Sequence, residues 1–399
     1  MSLNETPSAA RTHIGFFGRR NAGKSSVVNA VTGQELSIVS DTFGTTTDPV
    51  AKSMEILPLG PAVVIDTPGL DDTGELGMMR VRKAQQVLNR IDIAVVVLDA
   101  TLAPSPCDTE LLSLIKRKGI PYLVVLNKSD LPAARRACAP EELNCSALTG
   151  AGINELRERI AHMVPVDSGR RFVADLLHPG DLVVLVIPID EAAPRARLIL
   201  PEQLAIRECL DAGATALVVR DTELAQALKQ TVRPPSLVIT DSQAFREVAQ
   251  ILPAEMPLTS FSILMARFKG FLSEALRAVA AIEDLRDGDQ VLIAEGCTHH
   301  RQCNDIGTVK IPRWLTASTG KRLTIRTASG KSFPEDLSAY RLVIHCGGCM
   351  LTEREVLYRM KCAQDQGVPF TNYGIAIAAM TGILERAVAP LGLTSGAQR

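Results

Sequence analysis

At 399 residues and 46% apolar content, the chain is long enough for two or three cores and too long for a single one. Its 43 basic side chains against 44 acidic ones leave no global field to recruit nucleic acid, and no apolar run approaches the roughly twenty residues that span a bilayer. The N-terminus carries no apolar signal segment, so the expected location is the cytoplasm, where nine cysteines read as thiols and ligands, not disulfides.

From His13 to about Val164, buried apolar runs alternate with amphipathic stretches: IGFFG, a helix from Lys24, VVIDTPG, a helix around Met79 to Asn89, IAVVVLDA and YLVVLNKSD. This alternation predicts a parallel sheet covered on both faces. Pro165 to Arg171 is polar and turn-rich, and reads as a linker. A second α/β block follows with VVLVIPID, RLILP, a helix from Pro201 to Ala212, ALVVRD, a helix from Glu223, LVITD and a helix through Ala249. Cys209 stands alone on a helical stretch and reads as a core thiol. The composition breaks again around Pro257 to Ser262. The third block has strands near Val291 and Leu342 and helices over Glu353 to Gln364 and Ile375 to Ala387, with no internal repeat in the sequence.

Gly18-Arg-Arg-Asn-Ala-Gly-Lys-Ser25 is a P-loop between a strand and a helix. Its glycines let backbone amides approach phosphate oxygens, Lys24 reaches the β and γ phosphates, and Ser25 is a Mg²⁺ ligand. The nucleotide-contacting set here is Gly18, Asn21, Ala22, Gly23, Lys24, Ser25 and Ser26. Asp66-Thr-Pro-Gly69 ends a buried strand, so Asp66 can hold Mg²⁺ through water while the Gly69 amide senses the γ phosphate. Gly44 to Asp48 supplies Thr45 and Thr46 to the nucleotide, with Thr46 expected to close over Mg²⁺. Asn127-Lys128-Ser-Asp130 resembles the guanine-reading motif of GTPases, and Ser146-Ala147 the supporting base loop. GTP and GDP are the expected nucleotides, with Lys24, Thr46, Asp66 and Gly69 carrying hydrolysis. Leu70 stands where many GTPases carry a water-positioning Gln. Hydrolysis should therefore be slow, and a K⁺ ion at Asn21 could supply charge, as in the bacterial tRNA-modifying GTPases that this domain resembles.

Cys297-Thr-His299 follows one apolar strand, QVLIAEG, and His345-Cys346-Gly-Gly-Cys349 closes another. In one parallel sheet, all three thiols would lie at its carboxyl edge, where α/β folds place ligands. Thr352 and Glu355 read as a capping box whose helix N-terminus would favour a negative cluster. The spacing allows a Cys₃His zinc site or a [4Fe-4S] cluster with one iron not bound by cysteine. The fourth ligand is open between His299, His345, Asp305, Cys303 and an exchangeable small molecule. His300, Cys362 and Tyr373 read as structural.

The pairing of CxH with HCxxC, beside GRRNAGKSS and GTTTDP, resembles HydF, the GTPase maturation factor of [FeFe]-hydrogenase. The resemblance implies an α/β protein of three domains: a P-loop small-GTPase domain over 1–166, a dimerisation domain over 172–262 and a [4Fe-4S] domain over 263–399. It implies that Cys297, Cys346 and Cys349 hold the cluster, that the chain forms a homodimer, and that it receives parts from the radical enzymes HydE and HydG. The loaded scaffold would deliver a diiron precursor to the apo-hydrogenase. The competing expectation is a GTPase of ribosome or tRNA metabolism with a structural zinc module, which the neutral charge disfavours.

Overall fold

The computed structural model describes residues 11–33, 50–69, 87–132, 134, 142–163, 169–189, 198–296, 305–330 and 333–394. The chain divides into two compact units, Met1–Ser168 and Gly169–Arg399.

The first unit holds a six-stranded sheet: β1 (Thr12–Phe17), β2 (Val50–Ile56), β3 (Gly60–Asp66), β4 (Ile93–Asp99), β5 (Tyr122–Asn127) and β6 (Glu142–Asn144), in the order β2-β3-β1-β4-β5-β6. All pairings are parallel except β2 with β3. β4 is buried at all seven positions, as a strand covered on both faces must be, whereas the edge strand β2 has exposed side chains at alternate positions. Helices Lys24–Thr32 and Ile153–His162 cover one face, where Ile14, Val95 and Val125 point, and helix Pro106–Arg117 covers the other, with Phe17, Val96 and Leu126. The register sets Phe16 beside Asp66 and Asp99 beside Asn127, so the motif residues emerge together at one carboxyl edge. The expected helix around Met79 to Asn89 falls largely outside the described residues.

The second unit contains two four-stranded parallel sheets. The first is built from β7 (Leu182–Val186), β8 (Thr215–Val219), β9 (Leu237–Thr240) and β10 (Leu258–Ser260), ordered β10-β9-β7-β8. The second is built from β11 (Gln290–Glu295), β12 (Thr324–Ser329), β13 (Leu342–His345) and β14 (Phe370–Asn372), ordered β12-β11-β13-β14. Numbered by appearance, each sheet reads 2-1-3-4, so one topology occurs twice where the sequence shows no repeat. In each sheet the last strand runs straight into a helix capped by the strand's final residue. Ser260 Oγ accepts from the Ile263 amide at 3.2 Å, and Asn372 Oδ1 accepts from the Ile375 amide at 2.8 Å.

One apolar core joins Val184 and Val238 of the first sheet to Val291 and Ile344 of the second. Helix Phe261–Phe268 spans the sequence position expected to part the two blocks. The described part of the RLILP run, Leu198 to Pro201, is not a strand. Leu200 opens a helix, because Pro201 suits its first turn and the Glu202 carboxylate accepts the Ile199 amide at 2.8 Å.

Candidate functional site

In the first unit, Gly23 takes φ 81 as the residue before helix Lys24–Thr32, and a Cβ there would lie 2.2 Å from Asn127 Nδ2. Only glycine permits this approach of the P-loop to β5. Behind it, Lys24 Nζ lies 3.0 Å from Asp66 Oδ1, and Ser25 Oγ donates to Asp66 Oδ2 at 2.6 Å. Lys24 and Asp66 are both buried. Thr67 ties the end of β3 to β1 through a bond to Phe16 O at 2.7 Å, and Gly69 then lies against the Arg20 backbone. The hydroxyl and carboxylate of Ser25 and Asp66 are hard oxygen donors suited to Mg²⁺. Gly18 is buried, while Asn21 is exposed at φ 63, with Ala22 and Ser26 on either side of Gly23 to Ser25.

Asn127 joins two loops: Nδ2 donates to Ala22 O at 3.0 Å, and Oδ1 accepts from the Ala147 amide at 3.1 Å. Ser146, fully buried, accepts from the Thr149 amide at 3.1 Å. Lys128 has φ 66, and its ammonium donates to Asp99 at 2.6 Å. Burial alone would raise the Asp99 pKa, but bonds from Lys128 and Thr101 hold it below the ordinary value. Asp130 stays exposed at the same edge. The structure brings Lys24 and Ser25 to Asp66, and Asn127 to the backbones of Ala22 and Ala147, whereas Thr45, Thr46 and Leu70 lie outside the described residues.

In the second unit, β11 and β13 pair in parallel, with Ala294 beside His345. The Cys346 thiol accepts from the Gly296 amide at 3.1 Å and the Gly348 amide at 3.3 Å. Gly348 has φ 67, and a Cβ there would press on Val356 at 2.9 Å, so the CGGC turn lies close over helix Glu353–Asp365. Thr352 Oγ1 accepts the Glu355 amide at 3.2 Å, as an N-cap does. The Glu355 side chain accepts from Arg359 Nε at 2.9 Å. Cys297, His299 and Cys303 lie outside the described residues. Among the described residues, no three His, Cys, Asp or Glu side chains gather closely enough to hold a metal ion.

His345 is fully buried, with Nδ1 at 2.6 Å from Cys346 O and Nε2 at 3.2 Å from Arg359 Nη1. Burial first, then the Arg359 charge, lowers its pKa to about 3. Asp305 is buried and caps the following helical turn, its Oδ1 accepting from the Thr308 amide at 2.7 Å. Sequence reasoning missed a polar layer under this edge. Tyr373 donates to Glu295 Oε1 at 3.2 Å, and burial, with the nearby Cys346 and Glu295, pushes the Tyr373 pKa well above the ordinary value. Arg359 also donates to Gly330 O at 2.6 Å. The available signals were Glu295 closing an apolar strand and the four-residue spacing of Glu355 and Arg359.

Residues 13–128 match the family described as 50S ribosome-binding GTPase. The first unit is a P-loop GTPase domain. GTPase Der of Wolinella succinogenes is 40% identical over 133 residues, covering 32% of this chain and 27% of that protein. The tRNA modification GTPase MnmE of Heliobacterium modesticaldum is 33% identical over 209 residues, covering 50% of this chain and 42% of that protein. This chain thus spans about a quarter to two fifths of the length of these relatives. Among solved structures, Era of Aquifex aeolicus aligns at a TM-score of 0.35 and 23% identity, covering 52% of this chain and 91% of that one. Residues 172–270 match the hydrogen maturase F dimerization domain and residues 273–390 the hydrogen maturase F tetramerization domain. With those two domains following a GTPase domain over more than half the chain, this protein belongs to the hydrogen maturase F (HydF) family.

Proposed function

We propose that this protein is a GTP-hydrolysing scaffold that holds a [4Fe-4S] cluster through Cys297, Cys346 and Cys349 and assembles or delivers the diiron subcluster precursor to apo-[FeFe]-hydrogenase. The observation that carries this reading is the Cys346 thiol accepting two backbone amides at the carboxyl edge of β11 and β13, in a chain of the hydrogen maturase F family. Amides directed at sulfur suit a cluster thiolate, because they offset its charge without closing a coordination position. Cys297 directly follows Gly296, one of those two donors, and Cys349 lies in the same turn as Cys346. The donor set therefore fits the group. When bound, a cluster held by three cysteines supplies one iron that is incompletely ligated by protein, as a site that must release its load requires.

His345 is a poor fourth ligand, because Nε2 accepts from Arg359 and Nδ1 carries the proton given to Cys346 O. His299, Asp305, Cys303 and an exchangeable small molecule remain as ligands for this reading. In the GTPase domain, Lys24 offsets phosphate charge, Ser25, Thr46 and Asp66 hold Mg²⁺, and Asn127 and Asp130 read guanine. Asn21 holds the K⁺ that stimulates a slow hydrolysis, and nucleotide state biases the carrier by binding two conformations unequally. The partners in this reading are HydE, HydG and the apo-hydrogenase, encountered by a homodimer in the cytoplasm.

Anaerobic reconstitution with iron and sulfide, followed by absorption and EPR spectroscopy, tests the cluster. A reducible [4Fe-4S] signal is the expected result, and stoichiometric zinc without that signal would favour a ribosomal or tRNA GTPase carrying a zinc module. Single-turnover phosphate release should be slow without K⁺ and faster with it. No release under either condition would remove the GTPase role.

A further inference from the structure

The P-loop is braced from several directions. A Cβ at Gly18 would stand 2.3 Å from Val97 O, so the loop starts pressed against β4. Gly69 lies against Arg20, and Ala22 O accepts from Asn127 Nδ2. Arg19 is tied by its side chain. Its Nε lies 3.0 Å from Asp108 Oδ2 and its Nη2 donates to Ala103 O at 3.4 Å, so the guanidinium reaches the turn that opens helix Pro106–Arg117. In a phosphate-binding loop an arginine could serve the phosphate directly, but here a carboxylate already engages it.

Asp108 is the other half of the tie. It is 1% exposed, and the same Oδ2 accepts from Ser105 N at 2.8 Å and Ser105 Oγ at 2.9 Å, while Ser105 Oγ accepts from the Asp108 amide at 3.3 Å. These bonds close a capping box, which needs no cation, so the bond to Arg19 is additional to it. A carboxylate fixed by the helix thus holds the loop from outside. Backbone amides that cradle phosphates bind best when already aligned, because ordering a loop on binding costs affinity.

We propose that Asp108 is a positioning residue for the phosphate site: by holding the Arg19 side chain on helix Pro106–Arg117, it keeps the P-loop amides aligned before the nucleotide arrives. This rests on the nucleotide site of the first unit and not on the cluster. Full-length Asp108→Asn, Arg19→Met, the double variant and Ser105→Ala are each titrated with fluorescent GDP beside the wild type. Charge and position predict opposite signs for Asp108→Asn. Removing an acid beside the P-loop would tighten GDP binding by Coulomb attraction, whereas releasing the loop weakens it. The expected result is binding roughly three- to tenfold weaker for Asp108→Asn and for Arg19→Met, with the double variant no weaker than Arg19→Met. Ser105→Ala opens the capping box and leaves the tie, so it should bind GDP as the wild type does. Unchanged or tighter binding by Asp108→Asn would overturn the inference, as would an equal loss in Ser105→Ala or additive losses in the double variant. Should Asp108→Asn fold poorly, Arg19→Met decides: its loss should persist in about 1 M salt, where charge effects are screened, and a loss that disappears there would overturn the role of position. A wild-type chain that binds no GDP would instead sink the nucleotide reading, and this inference with it.

Discussion

Arg359 donates through Nη1 to Nε2 of His345 at 3.2 Å, which leaves the histidine neutral with its proton on Nδ1, bonded to Cys346 O at 2.6 Å. Arg359 is 1% exposed, and its guanidinium also joins Glu355 at 2.9 Å and Gly330 O at 2.6 Å. A single cation thus ties β13, the helix after the CGGC turn and the end of β12. Arg359→Met should cost about 3–5 kcal/mol, because it removes the cation from a buried ion pair with Glu355. Chemical denaturation of the variant measures this, and a loss below about 1 kcal/mol would mean that water or another group takes over the carboxylate.

Asn127 should matter as much for the shape of the nucleotide site as for guanine itself. Its amide holds Ala22 O on one side and the Ala147 amide on the other, so Asn127→Ala loses both ties at once. At about 1 kcal/mol or more for each bond, GDP affinity should fall by roughly tenfold or more. Gly23→Ala should be at least as harmful, since its Cβ would overlap Asn127 Nδ2 at 2.2 Å. Fluorescent-nucleotide titration checks both variants, and affinity within twofold of wild type would dismiss the brace.

The two chemistries should separate by mutation. Lys24 bonds with Asp66 in the first unit, and Cys349 packs under the first sheet of the second. Lys24→Ala should abolish GTP hydrolysis and leave iron uptake unchanged; Cys349→Ala should lower iron content and leave hydrolysis intact. Loss of iron in the Lys24 variant would show that the sites depend on each other for folding.

Sequence patterning exposed those parts of the fold where one chemical signal dominates. β1, β4 and β5 are near-continuous apolar runs ending in motif residues, and both cysteine strands, β11 and β13, are similarly apolar. β10 and β14 are three residues each and run without a break into helices, so neither is long enough to show a period. β12, TIRTAS, is an edge strand whose side chains are mostly exposed or half-buried, and it lacks the apolar signal that periodicity detects. The polar layer of Glu295, Arg359 and Tyr373 was hidden for another reason. Its members lie far apart in sequence, and only the pairing of β13 with β11 on one side and β14 on the other brings them together.

Glu202 offers a pH test that involves neither nucleotide nor metal. It is 7% exposed in the first turn of helix Leu200–Asp211, and its carboxylate accepts the Ile199 amide at 2.8 Å. Burial, opposed by that amide and reinforced by the Asp241 charge, raises its pKa from 4.5 to about 7. Below pH 4.5 folded and unfolded chains both carry the proton. Between 4.5 and about 7 the folded chain keeps a proton that the unfolded chain has released, so this group's contribution to stability falls as pH rises, by up to about 3 kcal/mol over the window. Glu202→Gln keeps an acceptor for Ile199 and does not titrate. The difference in unfolding free energy between variant and wild type should therefore grow in favour of the variant from pH 5 to about 7 and level off above it. Denaturation curves at several pH values read this directly, and a difference that stays constant with pH would mean that Glu202 is ionised in the folded chain throughout.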